Sequence, residues 1–247
     1  MIREEFKIEI CANSVLSCIE AQAGGADRVE LCAGIPEGGT TPSAGMIRSA
    51  RESINIGLNV IIRPRGGDFL YSSEEVREML YDIALAKQYG ADGLVFGALT
   101  PDGDIDMDVM RALMHAAGDT PVTFHRAFDH CRDPFEAMEK IIVLGCARIL
   151  TSGQKASAAD GMELLAYLVG KSAGRIIIMP GCGVNEGNIS VIAGNTGARE
   201  FHFSARTTMK SGMVYCNREA SMGADSDDFS IPVTSSKRVS DTIGKLL

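Results

Sequence analysis

The chain has no tryptophan, and aromatic residues make up only 6% of its 247 residues. Packing must therefore rest on aliphatic side chains, which the 45% apolar content supplies in quantity. An excess of positive charge is also missing: the net charge is −8 and the pI is near 5.1. A surface of that sign argues against nucleic acid or an anionic membrane as the main partner, while leaving room for a local basic pocket that takes a small anion. No apolar stretch approaches the roughly 18 residues of a membrane span. No basic segment followed by an apolar run opens the chain, so neither a membrane helix nor a signal peptide is expected. The seven cysteines include no Cys-x-x-Cys pair and are odd in number, so thiols in a reducing cytoplasm are the expectation.

What is present is a rhythm. Eight short β-type runs occur at Lys7–Cys11, Arg28–Cys32, Leu58–Arg63, Gly93–Phe96, Val122–His125, Arg148–Leu150, Arg175–Met179 and Glu200–Phe203. Helical periods lie between them, at Ser14–Ala23, Ser43–Glu52, Ser73–Tyr89, Asp106–Ala117, Asp133–Leu144, Ala159–Val169 and Asn185–Ala193, with Val239–Leu247 as an eighth. Strands alternating with helices imply parallel βαβ units, and eight of them in about 250 residues predict one (β/α)8 barrel domain over residues 1–247. Gly24-Gly-Ala-Asp27, Tyr89-Gly-Ala-Asp92 and Leu144-Gly-Cys-Ala147 read as helix ends on the N-terminal face. The segment 205–236 breaks the rhythm and reads as irregular: a lid, a subunit contact, or a partly helical stretch near Glu219–Ala224.

Alternate residues of a barrel strand point inward and outward. The apolar parity faces the helices, so the other parity collects Glu9, Cys11, Glu30, Cys32, Arg63, Arg65, His125, His202 and Ser204 near the C-terminal mouth, where barrel enzymes keep their sites. Buried carboxylates need a cation such as Arg63, or a proton. Glu9, Glu30, Arg63 and His125 are the candidate catalytic groups. Arg65, Arg126, Ser152, His202 and Ser204, with Gly181 and Gly183 in the loop after the seventh strand, are candidates for holding a carboxylate or phosphate. Arg126 has the opposite parity to His125, and Asp129 is expected to orient the loop. The same ionic groups also occur in barrels as packing pairs. Cys11 and Cys32 occupy equivalent places on consecutive strands, about 4.8 Å apart. Two thiolates suit Cu(I), although buried cysteines also serve only to fill space.

Several motifs together resemble the CutC family, named for copper homeostasis. They are Gly25-Ala-Asp-Arg-Val-Glu-Leu-Cys32, Gly38-Gly-Thr-Thr-Pro-Ser43, Ile62-Arg-Pro-Arg-Gly-Gly-Asp-Phe69, Val122-Thr-Phe-His-Arg-Ala-Phe-Asp129, Ile149-Leu-Thr-Ser-Gly153 and Glu200-Phe-His-Phe-Ser-Ala-Arg206. The resemblance spans roughly residues 5 to 210. It implies a single barrel, a cytoplasmic location, a homo-oligomer with a dimer favoured, and copper binding carried over to Cys11 and Cys32. Two thiolates would suffice for a copper ion, whereas the Arg, His and Glu array is richer than that. The residues therefore support two expectations: a Cu(I)-binding copper homeostasis protein, and a barrel enzyme of the lyase or isomerase kind that moves a proton on a small phosphorylated or carboxylated substrate.

Overall fold

The hydrophobic period alternates between two and about 3.6 residues, and the backbone follows it. In the computed structural model, which describes residues 3–217, 219–220 and 227–246, the order is β1 (Lys7–Ala12), α1 (Val15–Ala23), β2 (Arg28–Leu31), α2 (Ala44–Ser53), β3 (Gly57–Ile61), α3 (Ser73–Gln88), β4 (Gly93–Phe96), α4 (Met107–Ala117), β5 (Val122–Phe124), α5 (Pro134–Leu144), β6 (Arg148–Thr151), α6 (Met162–Ser172), β7 (Ile177–Pro180), α7 (Ile189–Thr196), β8 (Glu200–Phe203), β9 (Arg206–Lys210), β10 (Ser230–Thr234) and α8 (Ser236–Gly244). Strands β1 to β8 pair in parallel in the order 7-6-5-4-3-2-1-8. Strands β7 and β8 come side by side without a shared ladder, so eight strands and eight helices form a nearly closed barrel.

The helices start where side chains satisfy their free N–H groups. Ser14, Ser43, Asp106, Asp133 and Ser235 each accept from the first turn. Ser72 and Glu75 form a reciprocal capping box on α3. Each such cap stabilises by about 1 kcal/mol. The repeated Gly-Ala-Asp motif has a base-face role. Gly25 and Gly90 end their helices at positive φ, and the aspartate two residues on accepts the N–H of the second residue of a neighbouring strand: Asp27 from Ile8 at 2.7 Å and Asp92 from Leu58 at 2.8 Å.

The apolar core lies between strands and helices. Ile8, Ile10, Val29, Leu31, Leu58, Val60, Phe124 and Phe201 are fully buried there, as the outward parity requires. Burying each such side chain contributes about 1.5–3 kcal/mol. Inside the barrel, polar groups take the space. Gly93 leaves it open, because a Cβ there would lie 2.2 Å from Asn59 Oδ1.

The segment 205–236 is less irregular than expected. Strands β9 and β10 pair antiparallel from Arg206↔Thr234 to Lys210↔Ser230. Their sequence shows no apolar period because β9 is mostly exposed and buries no alternate face. The hairpin is pinned to α1 and the turn before it instead: the Asn13 side-chain amide donates to the Pro232 carbonyl, and Thr234 N–H donates to Ser17 Oγ. The helical turn expected near Glu219–Ala224 falls mostly outside the described residues.

Candidate functional site

A charged column runs along the barrel axis. At its base, Arg148 Nε donates to Glu200 at 3.2 Å, and Arg28 bridges Glu200 and Glu9, with Nε 2.6 Å from Glu9 Oε2. Asn59 donates to the same Glu9 oxygen at 2.8 Å. Above it, His202 Nδ1 lies 2.9 Å from Glu9 Oε1, and His202 Nε2 lies 3.7 Å from Glu30 Oε2. The registers Glu9↔Arg28, Glu9↔His202 and Cys11↔Glu30 bring these groups together.

This corrects the expected pairing. The cation that serves Glu9 is Arg28, with His202, and not Arg63. Arg63 instead donates to the backbone carbonyls of Glu37, Gly39 and Gly67 at 2.7–2.9 Å. It makes no ion pair among the described residues. Arg28 and Arg148 share the inward parity but stand first in their strands, and Asn59 sits in the middle of β3; all three lie below the mouth.

Environment sets the protonation states. Burial alone would lift the Glu9 carboxyl, but Arg28 and His202 outweigh it and hold the group far below the usual carboxylate range. Burial pushes Glu30 up to about 8; His202 opposes this, while Cys11 and Glu9 add to it. Burial disfavours the His202 imidazolium, but Glu30, Cys11 and Glu9 carry its pKa well above the ordinary value. His202 is therefore a cation paired with Glu9, and Glu30 holds a proton near neutral pH. His125 goes the other way: burial, then the Arg63 charge, lowers it to about 3. Its Nδ1 accepts from Ala127 N–H at 3.2 Å. A backbone N–H can only donate, so the ring proton sits on Nε2.

Cys11 and Cys32 point the same way, with their sulfurs 3.6 Å apart. Hydrogen bonding to Cys32 and burial raise the Cys11 thiol well above the ordinary value. Cys32 lies deeper, 1% exposed beside Ile61 and Val95. Ligand atoms of Cys11, Glu30 and His202 all fall within 4.8 Å of one another.

A cavity of about 260 Å³ opens at the mouth, bounded by Cys11, Glu30, Arg63, Phe69, His125 and His202 among others. A second, larger hollow beside it takes in Gly183, Ser204, Arg206 and Arg238, and Arg126 edges both. Other sequence candidates lie elsewhere. Arg65 lines neither hollow; it holds Glu75 and Asp68 on the loop surface. Ser152 donates to the Lys155 carbonyl at 2.5 Å and accepts from Arg126. Gly181 is packed so tightly that a Cβ would lie 2.4 Å from Leu150 Cδ1. Asp129 organises this corner, accepting from Arg126 Nε, Thr151 Oγ1, and the N–H groups of Ser152 and Gln154.

Among the described residues, four buried side-chain atoms lack a partner: Glu30 Oε1, Arg63 Nε and His125 Nε2 around the mouth cavity, and Tyr71 Oη beside Arg63. A buried group left unsatisfied costs about 1–3 kcal/mol, so the mouth is built at some expense of stability.

The CutC family model matches residues 6–207. A relative from Bacteroides thetaiotaomicron, named family protein CutC, is 60% identical over 243 residues, covering 97% of this chain and 98% of its own. A Homo sapiens relative, named copper homeostasis protein cutC homolog, is 50% identical over 236 residues, covering 95% of this chain and 86% of its own. The crystal structure of CutC from Streptococcus agalactiae superposes with a TM-score of 0.77 at 34% identity, over 81% of this chain and 98% of that one. N-(5'-phosphoribosyl)anthranilate isomerase from Pyrococcus furiosus, at 12% identity and a TM-score of 0.58 over 98% of each chain, shares the barrel fold alone. With matches of this extent and identity, the chain belongs to the CutC family.

Proposed function

We propose that this chain is a copper homeostasis protein that binds Cu(I) as its cargo at Cys11 and Cys32, with His202 as a third donor. The observation that carries the reading is the 3.6 Å approach of the two sulfurs, with His202 grouped beside the Cys11 sulfur. Soft thiolates with an imidazole suit Cu(I) better than a hard cation. Glu9 completes the set: its carboxylate engages His202 Nδ1 and leaves Nε2 on the Cys11 side, the carboxylate–histidine arrangement that tunes metal sites. Relatives named for copper homeostasis support the same reading. Seven free cysteines fit a reducing cytoplasm. Among the described residues, no helix is long and apolar enough to cross a membrane.

Both thiols and the His202 Nε2–H must shed protons for the ion to bind, so affinity rises steeply with pH. The test is anaerobic titration with Cu(I) against a competing chelator. One equivalent is expected to bind the native chain, with loss of that binding in Cys11→Ser/Cys32→Ser. Glu9→Gln, if folded, is expected to weaken binding about 10–100-fold. Undiminished affinity in the double serine variant would sink the reading.

A further inference from the structure

The copper reading uses the β1, β2 and β8 side of the mouth and leaves the opposite wall without work. Strand order places β5 across the barrel from β1, and His125 at the end of β5 and Arg63 just past β3 carry the other unpartnered groups. His125 is 4% exposed, and its one ring proton, fixed on Nε2 by the Ala127 N–H at Nδ1, meets no acceptor. Arg63 is 5% exposed, its Nε is unpartnered among the described residues, its three hydrogen bonds go to neutral carbonyls, and its other polar neighbour, the Tyr71 hydroxyl, is neutral too. A buried cation without a counter-ion is a poor structural element, because buried charges are normally paired. The Phe69 ring fixes both groups, with its centroid 4.9 Å from the His125 ring and 4.9 Å from the Arg63 guanidinium carbon. Glu30 faces the same cavity with its Oε1 unpartnered.

We infer that this wall is a second ligand site, built for a small hydroxycarboxylate: the carboxylate takes the His125 Nε2–H and the Arg63 guanidinium, and a hydroxyl meets Glu30 Oε1. Three features select this class. Two N–H donors without acceptors call for ligand oxygens. One unpaired buried cation calls for a single negative charge, and the acidic Glu37 at the edge of the cavity disfavours a phosphate dianion. The volume, about 260 Å³, lies below the ~300–1,000 Å³ of sites for drug-sized ligands. The site stands on residues that the copper reading does not use as ligands.

The experiment is ¹H–¹⁵N NMR of the full chain, following the His125 Nε2–H resonance. The probes are glycolate, lactate, malate and gluconate, with lactamide as a neutral isostere and inorganic phosphate as a competing anion. At least one hydroxycarboxylate is expected to shift that resonance to saturation and to bind at least about tenfold more tightly than lactamide, a difference of about 1.4 kcal/mol. Arg63→Met is expected to weaken that probe about tenfold or more, whereas Cys11→Ser/Cys32→Ser binds it like the native chain. That last arm separates this site from the copper site. The inference fails if no hydroxycarboxylate moves the resonance of the native chain. It also fails if lactamide binds equally well, if phosphate alone saturates the site, or if a folded Arg63→Met variant binds as before.

Discussion

The base and the mouth of the barrel hold similar residues in opposite states. At the base, Arg148, Glu200, Arg28, Glu9 and Asn59 pair in sequence, and none of their side-chain atoms is left buried without a partner among the described residues. At the mouth, Glu30, Arg63 and His125 are equally buried, yet each keeps one polar atom unmatched. The difference separates two uses of a polar interior. Closed pairing holds the barrel together, while open valences await something from outside. Composition cannot make that distinction, since both regions are Glu, Arg and a few neutral polar groups. Partner geometry makes it.

The hardest blow to this contrast is aimed at the base. Arg28→Met strips Glu9 and Glu200 of their shared cation and should destabilise the fold by about 3–5 kcal/mol, read as a lowered urea midpoint. A loss below about 1 kcal/mol would mean that the base is no more committed to structure than the mouth.

Glu30→Gln sharpens the contrast through pH. The carboxyl titrates at about 8 in the fold against an ordinary value of 4.5. The folded chain thus keeps a proton that the unfolded chain releases, and stability falls as pH rises across that window. The variant removes this slope, so its stability relative to the native chain should climb by up to about 1.4 kcal/mol per pH unit between those values. Parallel stability–pH curves would show that Glu30 is not a protonated group in the fold. Smallest of all should be Arg65→Ala. Its ion pairs with Glu75 and Asp68 lie at the surface, where such pairs contribute about 0–1 kcal/mol. Its ligand binding should match the native chain, and a tenfold loss of binding to either proposed ligand would return Arg65 to the site.

Much of this was legible before the structure. Eight strand–helix repeats predicted the barrel, because each apolar parity had to face a helix, and Ile8, Val29, Val60 and Phe201 do so. The same parity placed Glu9, Glu30, His125 and His202 indoors. It applies equally to Arg28, Asn59 and Arg148, whose positions at the start or middle of their strands lie below the mouth that strand ends mark. The work of Arg63 was hidden for another reason: its acceptors are backbone carbonyls of two loops, and side-chain identity does not encode where a loop carbonyl points. The His125 tautomer depends likewise on one backbone N–H in the turn that follows β5. The β9–β10 hairpin left no periodic signal because it buries no alternating face.

The axial column has a thermal consequence. Ionic groups lose hydration free energy on heating, so the penalty for keeping Glu9, Arg28, Glu200 and Arg148 out of water shrinks as temperature rises, while the gain per unit of aliphatic burial levels off. The barrel's resistance to heat should therefore shift inward, from the helix-facing layer at low temperature toward its ionic axis at high temperature.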